Sequence, residues 1–317
     1  MSESARPPSI APPSGLSRDP SETHETVQAE DGTRLFLRRM PKREESGGPS
    51  PGGVRAIFCD GILCDGFIWK YLWNDLAAVC DVAHWHYRGH GRSAAPVDPS
   101  RVDIAAHARD LEIVRKHLGD PPTVLIGHSM GTQVALEGWH LFPEKVKGLV
   151  LVCGSYGKIT HSFRGVPILD RILPKVMDIV DKQPDLVRAI WSRLPPEMAF
   201  RAALLARDVD PESIRREDML PYLKHMTHVD FPMFLKMLRA AGDHSAEEWL
   251  AKVDVPVLVI AGEKDTFTPA SLSEHMASQM PNAELVMVKG GTHVAPLEQA
   301  ELVCSAIKGF VERVAAT

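Results

Sequence analysis

Residues 123–131, Thr123-Val124-Leu125-Ile126-Gly127-His128-Ser129-Met130-Gly131, decide the architecture of this chain. The first four form an apolar run without polar alternation, entered from Pro121-Pro122 and left at Gly127. Such a run suits a strand buried on both faces of a parallel sheet. From Met130 to about Phe142 the chain reads as a helix. The segment between them has the form G-x-S-x-G. A sharp strand-to-helix turn brings backbone close to its neighbours, so the two glycines fall where only small residues fit. Ser129 is then expected at the apex, above the sheet. The helix start beside it offers free N–H groups and partial positive charge to a developing oxyanion.

The pattern outside this turn repeats it. Val54–Phe58, Val79–Trp85, Gly148–Cys153, Val257–Ile260 and Leu285–Val288 read as further strands, and Leu35–Leu37 as a short one before the loop Pro41–Gly53. Ile104, Ala108, Leu111, Val114 and Leu118 recur at helical spacing, as do Val303, Ile307, Phe310 and Val314. Alternating strands and helices imply a mostly parallel sheet with helices on both faces. Residues 155–250 contain no convincing strand. They read as helical pieces broken at Pro167, Pro174, Pro184, Pro195-Pro196, Pro211, Pro221 and Pro232, inserted over the carboxyl ends of the strands. Half of the first twenty residues are Ser or Pro, so residues 1–22 are expected to be a disordered tail. The expected divisions are therefore this tail, a core of 23–154 with 251–317, and an insertion of 155–250.

Composition narrows the function class. The 317 residues are 44% hydrophobic and 24% charged, with a net charge of -5 that offers no basic surface to a nucleic-acid backbone. No apolar run approaches the ~20 residues of a membrane-spanning helix. The first residues lack the charged and apolar regions of a secretory signal. Five scattered cysteines, with no C-x-x-C, predict reduced thiols and a cytoplasmic protein. The expected partner is a small molecule; oligomeric state is open.

A serine hydroxyl is a weak nucleophile at neutral pH and requires a base with an orienting acid. Candidates follow Ser129 in the order Asp, His. Asp265 lies in Gly262–Pro269 (GEKDTFTP) after the strand VLVIA, with Glu263 a nearby competitor; His293 lies in Gly290–Pro296 (GGTHVAP) after LVMV. A parallel sheet brings both loops to the edge that carries Ser129.

These residues resemble the α/β-hydrolase superfamily, in its serine-nucleophile, capped, esterase- or haloperoxidase-like branch, over about residues 24–314. Tyr87–Ser93 (YRGHGRS) resembles the family's R-G-x-G-x-S loop, and Gly262–Pro269 its G-x-x-D-x-x-x-P acid loop. The resemblance implies an α/β-hydrolase fold with residues 155–250 as a helical cap or lid after the sixth strand. It implies Ser129 as nucleophile, His293 as general base and Asp265 as the acid that orients it. Backbone N–H groups of Ile62 and Met130 would form the oxyanion hole. One departure stands out. Where relatives carry His-Gly after the third strand and a Trp later, this chain has Asp60-Gly61 and Trp69. An aspartate there is expected to brace the loop by accepting backbone N–H bonds, and it sets negative charge near an oxyanion.

The expected activity is hydrolysis of a small to medium hydrophobic carboxylic ester, thioester or lactone through an acyl-enzyme. The same catalytic set serves an acyltransferase or a C–C bond hydrolase, and a catalytically silent ligand-binding member of the fold is the reading from another class. No metal or organic cofactor is expected. His84, His86 and His90 are dense but lack a completing ligand set, and His128 reads as a packing neighbour of the serine. Met177, Met198, Met219, Met226, Met233 and Met237, with Trp191, Phe200, Phe231 and Phe234, favour a hydrophobic pocket beneath the insertion.

Overall fold

The computed structural model describes residues 19–43, 53–162 and 168–317. Residues 1–18 of the expected tail, most of the loop Pro41–Gly53, and Pro167 lie outside the described residues. Residues 19–22, the end of the expected tail, make defined contacts. Asp19 pairs with Arg43 at 2.6 Å, and Glu22 accepts the Trp73 indole N–H at 3.0 Å.

Eight strands form one sheet: β1 (Thr23–Gln28), β2 (Arg34–Met40), β3 (Arg55–Cys59), β4 (Asp81–Trp85), β5 (Thr123–His128), β6 (Val146–Val152), β7 (Val257–Gly262) and β8 (Ala283–Val288). The spatial order is β1-β2-β4-β3-β5-β6-β7-β8. β2 pairs antiparallel with β1 and β4, and every other pairing is parallel. The helices are α1 (Leu72–Leu76), α2 (Ile104–His117), α3 (Met130–Leu141), α4 (Ile159–Ser162), α5 (Ile168–Lys182), α6 (Pro184–Trp191), α7 (Pro196–Leu205), α8 (Arg216–Met226), α9 (Phe231–Asp243), α10 (Ala270–Gln279), α11 (Ala295–Glu298) and α12 (Ala300–Ala315).

Period-two alternation divides the core between the two sheet faces. Ile57 and Leu125 join the apolar cluster with α2 and α3, whereas Phe58, Val124 and Ile126 join the cluster with α1 and α12. β5 and β7 are buried at every position, as their unbroken apolar runs require. Leu285–Val288 departs from that pattern. β8 is an edge strand, paired on one side alone, and Leu285 is exposed. The strand expected from Val79 starts at Asp81, because the Val79 N–H closes a turn onto Leu76. α2 begins where Asp103 caps the Ala106 N–H at 2.6 Å, and its predicted apolar positions are buried.

Helices α4–α9 lie between β6 and β7 in the chain. Two of the predicted breaks are wrong: Pro174 lies inside α5 and Pro221 inside α8. Each deletes a single N–H bond, which packing of the helix's apolar face outweighs here. Pro184, Pro196 and Pro232 instead start helices, where a missing N–H costs nothing. The insertion has its own small core of Leu173, Val180 and Leu235, flanked by Phe231 and Phe234. It also contacts the loops at the carboxyl ends of the core strands. Tyr222 stacks on Phe67 after β3 at 4.2 Å, and Asp208 accepts the Thr266 hydroxyl after β7 at 2.9 Å.

Candidate active site

Ser129 joins β5 to α3 at φ 55°, ψ −122°, a backbone region that L side chains rarely adopt. The two glycines around it explain how the turn fits. A Cβ on Gly127 would lie 2.3 Å from the Gly131 carbonyl oxygen, and one on Gly131 would lie 2.1 Å from that of Cys59. These are fixed backbone atoms, so a side chain at either position has nowhere to go.

The three residues picked from the sequence meet. His293 Nε2 lies 3.0 Å from Ser129 Oγ, and His293 Nδ1 lies 2.9 Å from Asp265 Oδ2. Asp265 is fully committed. Its Oδ1 accepts the N–H groups of Phe267 and Thr268 at 2.8 and 2.9 Å, and its Oδ2 also accepts the Thr268 hydroxyl at 2.8 Å. A carboxylate held this way presents its remaining lone pair to Nδ1–H, which leaves the Nε2 lone pair facing the serine hydroxyl. Glu263 is not a competitor: it is exposed and accepts the Gly290 N–H at 2.8 Å.

The loop after β3 approaches the same serine. A Cβ on Gly61 would come within 3.1 Å of Ser129 Cβ. Met130 begins α3, so its amide has no acceptor within the helix. No backbone acceptor is found for the Ile62 amide among the described residues. Leu63 adopts φ 63°, and its N–H donates to His90 Nε2 at 3.2 Å. His90 Nδ1 in turn donates to the Arg88 carbonyl at 2.9 Å, so the ring is neutral, and burial pushes its pKa down to about 4.

Asp60 braces this loop, but not through backbone N–H bonds as expected. It is buried and accepts the Trp69 indole N–H at 2.8 Å and His84 Nε2–H at 2.8 Å, while Arg38 Nε donates to His84 Nδ1 at 3.2 Å. Its negative charge is thus engaged by side chains of β2, β4 and the turn after the loop. Two of the three clustered histidines are therefore occupied, and His86 Nδ1 accepts the Arg92 N–H at 2.8 Å. Among the described residues, no group of three or more His, Cys, Asp or Glu is arranged to hold a metal ion.

Sequence reading named His128 as a packing neighbour but not the bond it makes, and it missed Glu298. His128 Nε2–H donates to the His293 carbonyl at 2.9 Å, tying the histidine loop to β5; burial holds its pKa down to about 3, so it remains neutral. Glu298 accepts both the N–H and the hydroxyl of Thr292 at 2.8 Å. No local pattern marks either contact.

The profile of the alpha/beta hydrolase fold family matches residues 57–300, which contain Ser129, Asp265, His293 and the loop after β3. The chain belongs to the α/β-hydrolase fold family. A pimeloyl-[acyl-carrier protein] methyl ester esterase of Neisseria meningitidis serogroup C is 27% identical over 280 residues, covering 88% of this chain and 100% of that relative. Among solved structures, an esterase from Exiguobacterium antarcticum superposes with a TM-score of 0.71 at 19% identity, covering 92% of this chain and 100% of that one. The enol-lactonase from Burkholderia xenovorans LB400 gives 0.69 at 19% identity, with 91% and 99% coverage. At these identities the two structures establish the fold alone. In this α/β-hydrolase, no helix among the described residues is long and apolar enough to cross a membrane.

Proposed function

We propose that this α/β-hydrolase is a serine hydrolase that cleaves a small to medium hydrophobic carboxylic ester, thioester or lactone through an acyl-enzyme. The observation that carries the reading is the unbroken line Asp265 Oδ2, His293, Ser129 Oγ, with links of 2.9 and 3.0 Å. In this reading Ser129 Oγ attacks the substrate carbonyl carbon as His293 Nε2 takes the hydroxyl proton. The Ile62 and Met130 amides receive the oxyanion of the tetrahedral intermediate. Collapse breaks the bond to the leaving group, which takes the proton from His293. Water then repeats the sequence to release the acid. Asp265 stays ionised and holds the imidazole in the required tautomer.

The core is assigned to 23–154 and 251–317, and 155–250 is assigned as the cap. Trp191, Phe231 and Phe234 pack on one another in that segment, supporting an apolar roof. The name of the methyl ester esterase relative supports chemistry on an ester carbonyl. Five buried, free thiols favour a reducing compartment such as the cytoplasm.

A fluorophosphonate probe tests the assignment without knowledge of the substrate. Wild-type protein is expected to label rapidly at Ser129, and Ser129→Ala to lose labelling and at least about 10⁴-fold of ester turnover. His293→Ala is expected to label far more slowly. Absence of labelling in folded wild-type protein would return the chain to the ligand-binding reading.

A further inference from the structure

Three loops surround Ser129: the loop after β3 with Gly61 and Ile62, the loop after β7 with Asp265, and the loop after β8 with His293. One stretch of the insertion, residues 208–225, bonds to the neighbours of all three. Asp208 Oδ1 accepts from Thr266 Oγ1 at 2.9 Å, next to Asp265. The Asp210 N–H donates to Glu298 Oε1 at 2.7 Å. The same Glu298 carboxylate accepts the N–H and the hydroxyl of Thr292, next to His293. Farther along, Asp218 accepts from Lys70 Nζ at 2.5 Å and from the Tyr71 hydroxyl at 2.8 Å, just after the turn that follows Ile62. Tyr222 and His225 extend this contact, to Phe67 by stacking and to Asp65 at 3.7 Å.

The Asp218 carboxylate is wholly enclosed, and both of its donors come from the segment after β3. A buried carboxylate that loses its partners is left uncompensated, so this contact holds firmly. Ser129, in contrast, is fixed from below by the β5–α3 turn. The partner loops are therefore held from two sides: from the core, through His128 and Asp60, and from residues 208–225, which do not touch the β5–α3 turn in these bonds. We infer that residues 208–225 act as a strap that sets the oxyanion and histidine loops against the serine, with Asp218 and Glu298 as positioning residues. The inference rests on the serine hydrolase reading for its effect on rate, but not for its structural content.

The test uses the full chain, p-nitrophenyl butyrate as substrate, and Ser129→Ala as the blank. Asp218→Asn and Glu298→Gln are each expected to lower kcat about tenfold, less than outright loss of an oxyanion donor, while KM stays within about twofold. Lys70→Met combined with Asp218→Asn is expected to be no worse than Asp218→Asn alone, because both remove one contact. Melting curves verify folding. If Asp218→Asn does not fold, Tyr71→Phe removes one donor only, and a lower kcat at unchanged KM supports the strap whereas wild-type kcat overturns it. Folded Asp218→Asn and Glu298→Gln with wild-type kcat, or with the loss carried by KM, overturn it as well. Hydrogen exchange reads the same contacts without turnover: residues 61–66 lose protection in Asp218→Asn, and 291–294 in Glu298→Gln. Wild-type protein that neither hydrolyses the ester nor labels at Ser129 sinks the hydrolase reading, and unchanged exchange in both variants sinks the strap independently.

Discussion

Ser129 occupies a conformation that disfavours it. At φ 55°, ψ −122° a residue with a Cβ is strained by about 1–3 kcal/mol, and the surrounding close contacts of Gly127 and Gly131 enforce the turn. Ser129→Gly relieves that strain but adds chain entropy to the unfolded state. The expected outcome is an inactive protein about 1 kcal/mol more stable to urea than wild type. Equal or lower stability would mean the turn is relaxed. At this scale the sequence was most legible where a motif fixes spacing: the serine, aspartate and histidine each sit in a short, recognisable loop. It was least legible where a side chain answers another far along the chain. His84 reaches Asp60 from 24 positions away, and His128 reaches the His293 carbonyl from 165, and neither pairing leaves a local trace.

At the scale of elements, the buried parallel strands were readable because burial on both faces demands an unbroken apolar run. β1 was not, since Thr23–Gln28 contains one large aliphatic residue, Val27, and lies at the sheet edge. Its register with β2 comes from pairing that composition does not encode. Prolines misled for a related reason: they weaken a helix locally, yet tertiary packing decides whether it continues. Pro174 is exposed within α5, where its missing N–H leaves the Asp170 carbonyl without its usual donor. Pro174→Ala restores that bond at the cost of some unfolded-chain entropy. It is expected to raise stability by about 1–2 kcal/mol in urea denaturation, with ester turnover unchanged. A destabilised Pro174→Ala would show that the proline ring itself contributes packing.

For the whole molecule, buried imidazoles set the acid limit. His90 and His225 are pushed down to about 4, His107 and His128 to about 3, and His86 well below the usual range, in each case chiefly by burial. All five are neutral when folded, whereas the unfolded chain protonates them below about pH 6.5. Stability therefore falls as pH drops through that window. Asp65, raised to about 6 by burial, acts in the opposite direction, as do Asp110 and Glu298, which burial also raises. The five histidines outnumber the three raised carboxyls, so on balance the unfolded chain takes up protons and stability falls as pH drops below about 6.5. Urea titrations at pH 7.5, 6 and 5 check this, and a flat profile would refute it. How the insertion sits on the core belongs to the same scale, and no sequence pattern revealed its contacts with three separate loops.

The cysteines give this molecule a built-in record of its own breathing. Each of the five thiols is free and enclosed, and they are spread from the end of β3 through the loop beside Ser129 and the turn before β4 to the end of β6 and α12. A thiol-reactive dye in native buffer therefore meets no ready target, and colour develops only as fast as some region opens. Peptide mapping of which cysteine is modified first would then rank the regions by how often each comes apart, from native protein and without denaturant.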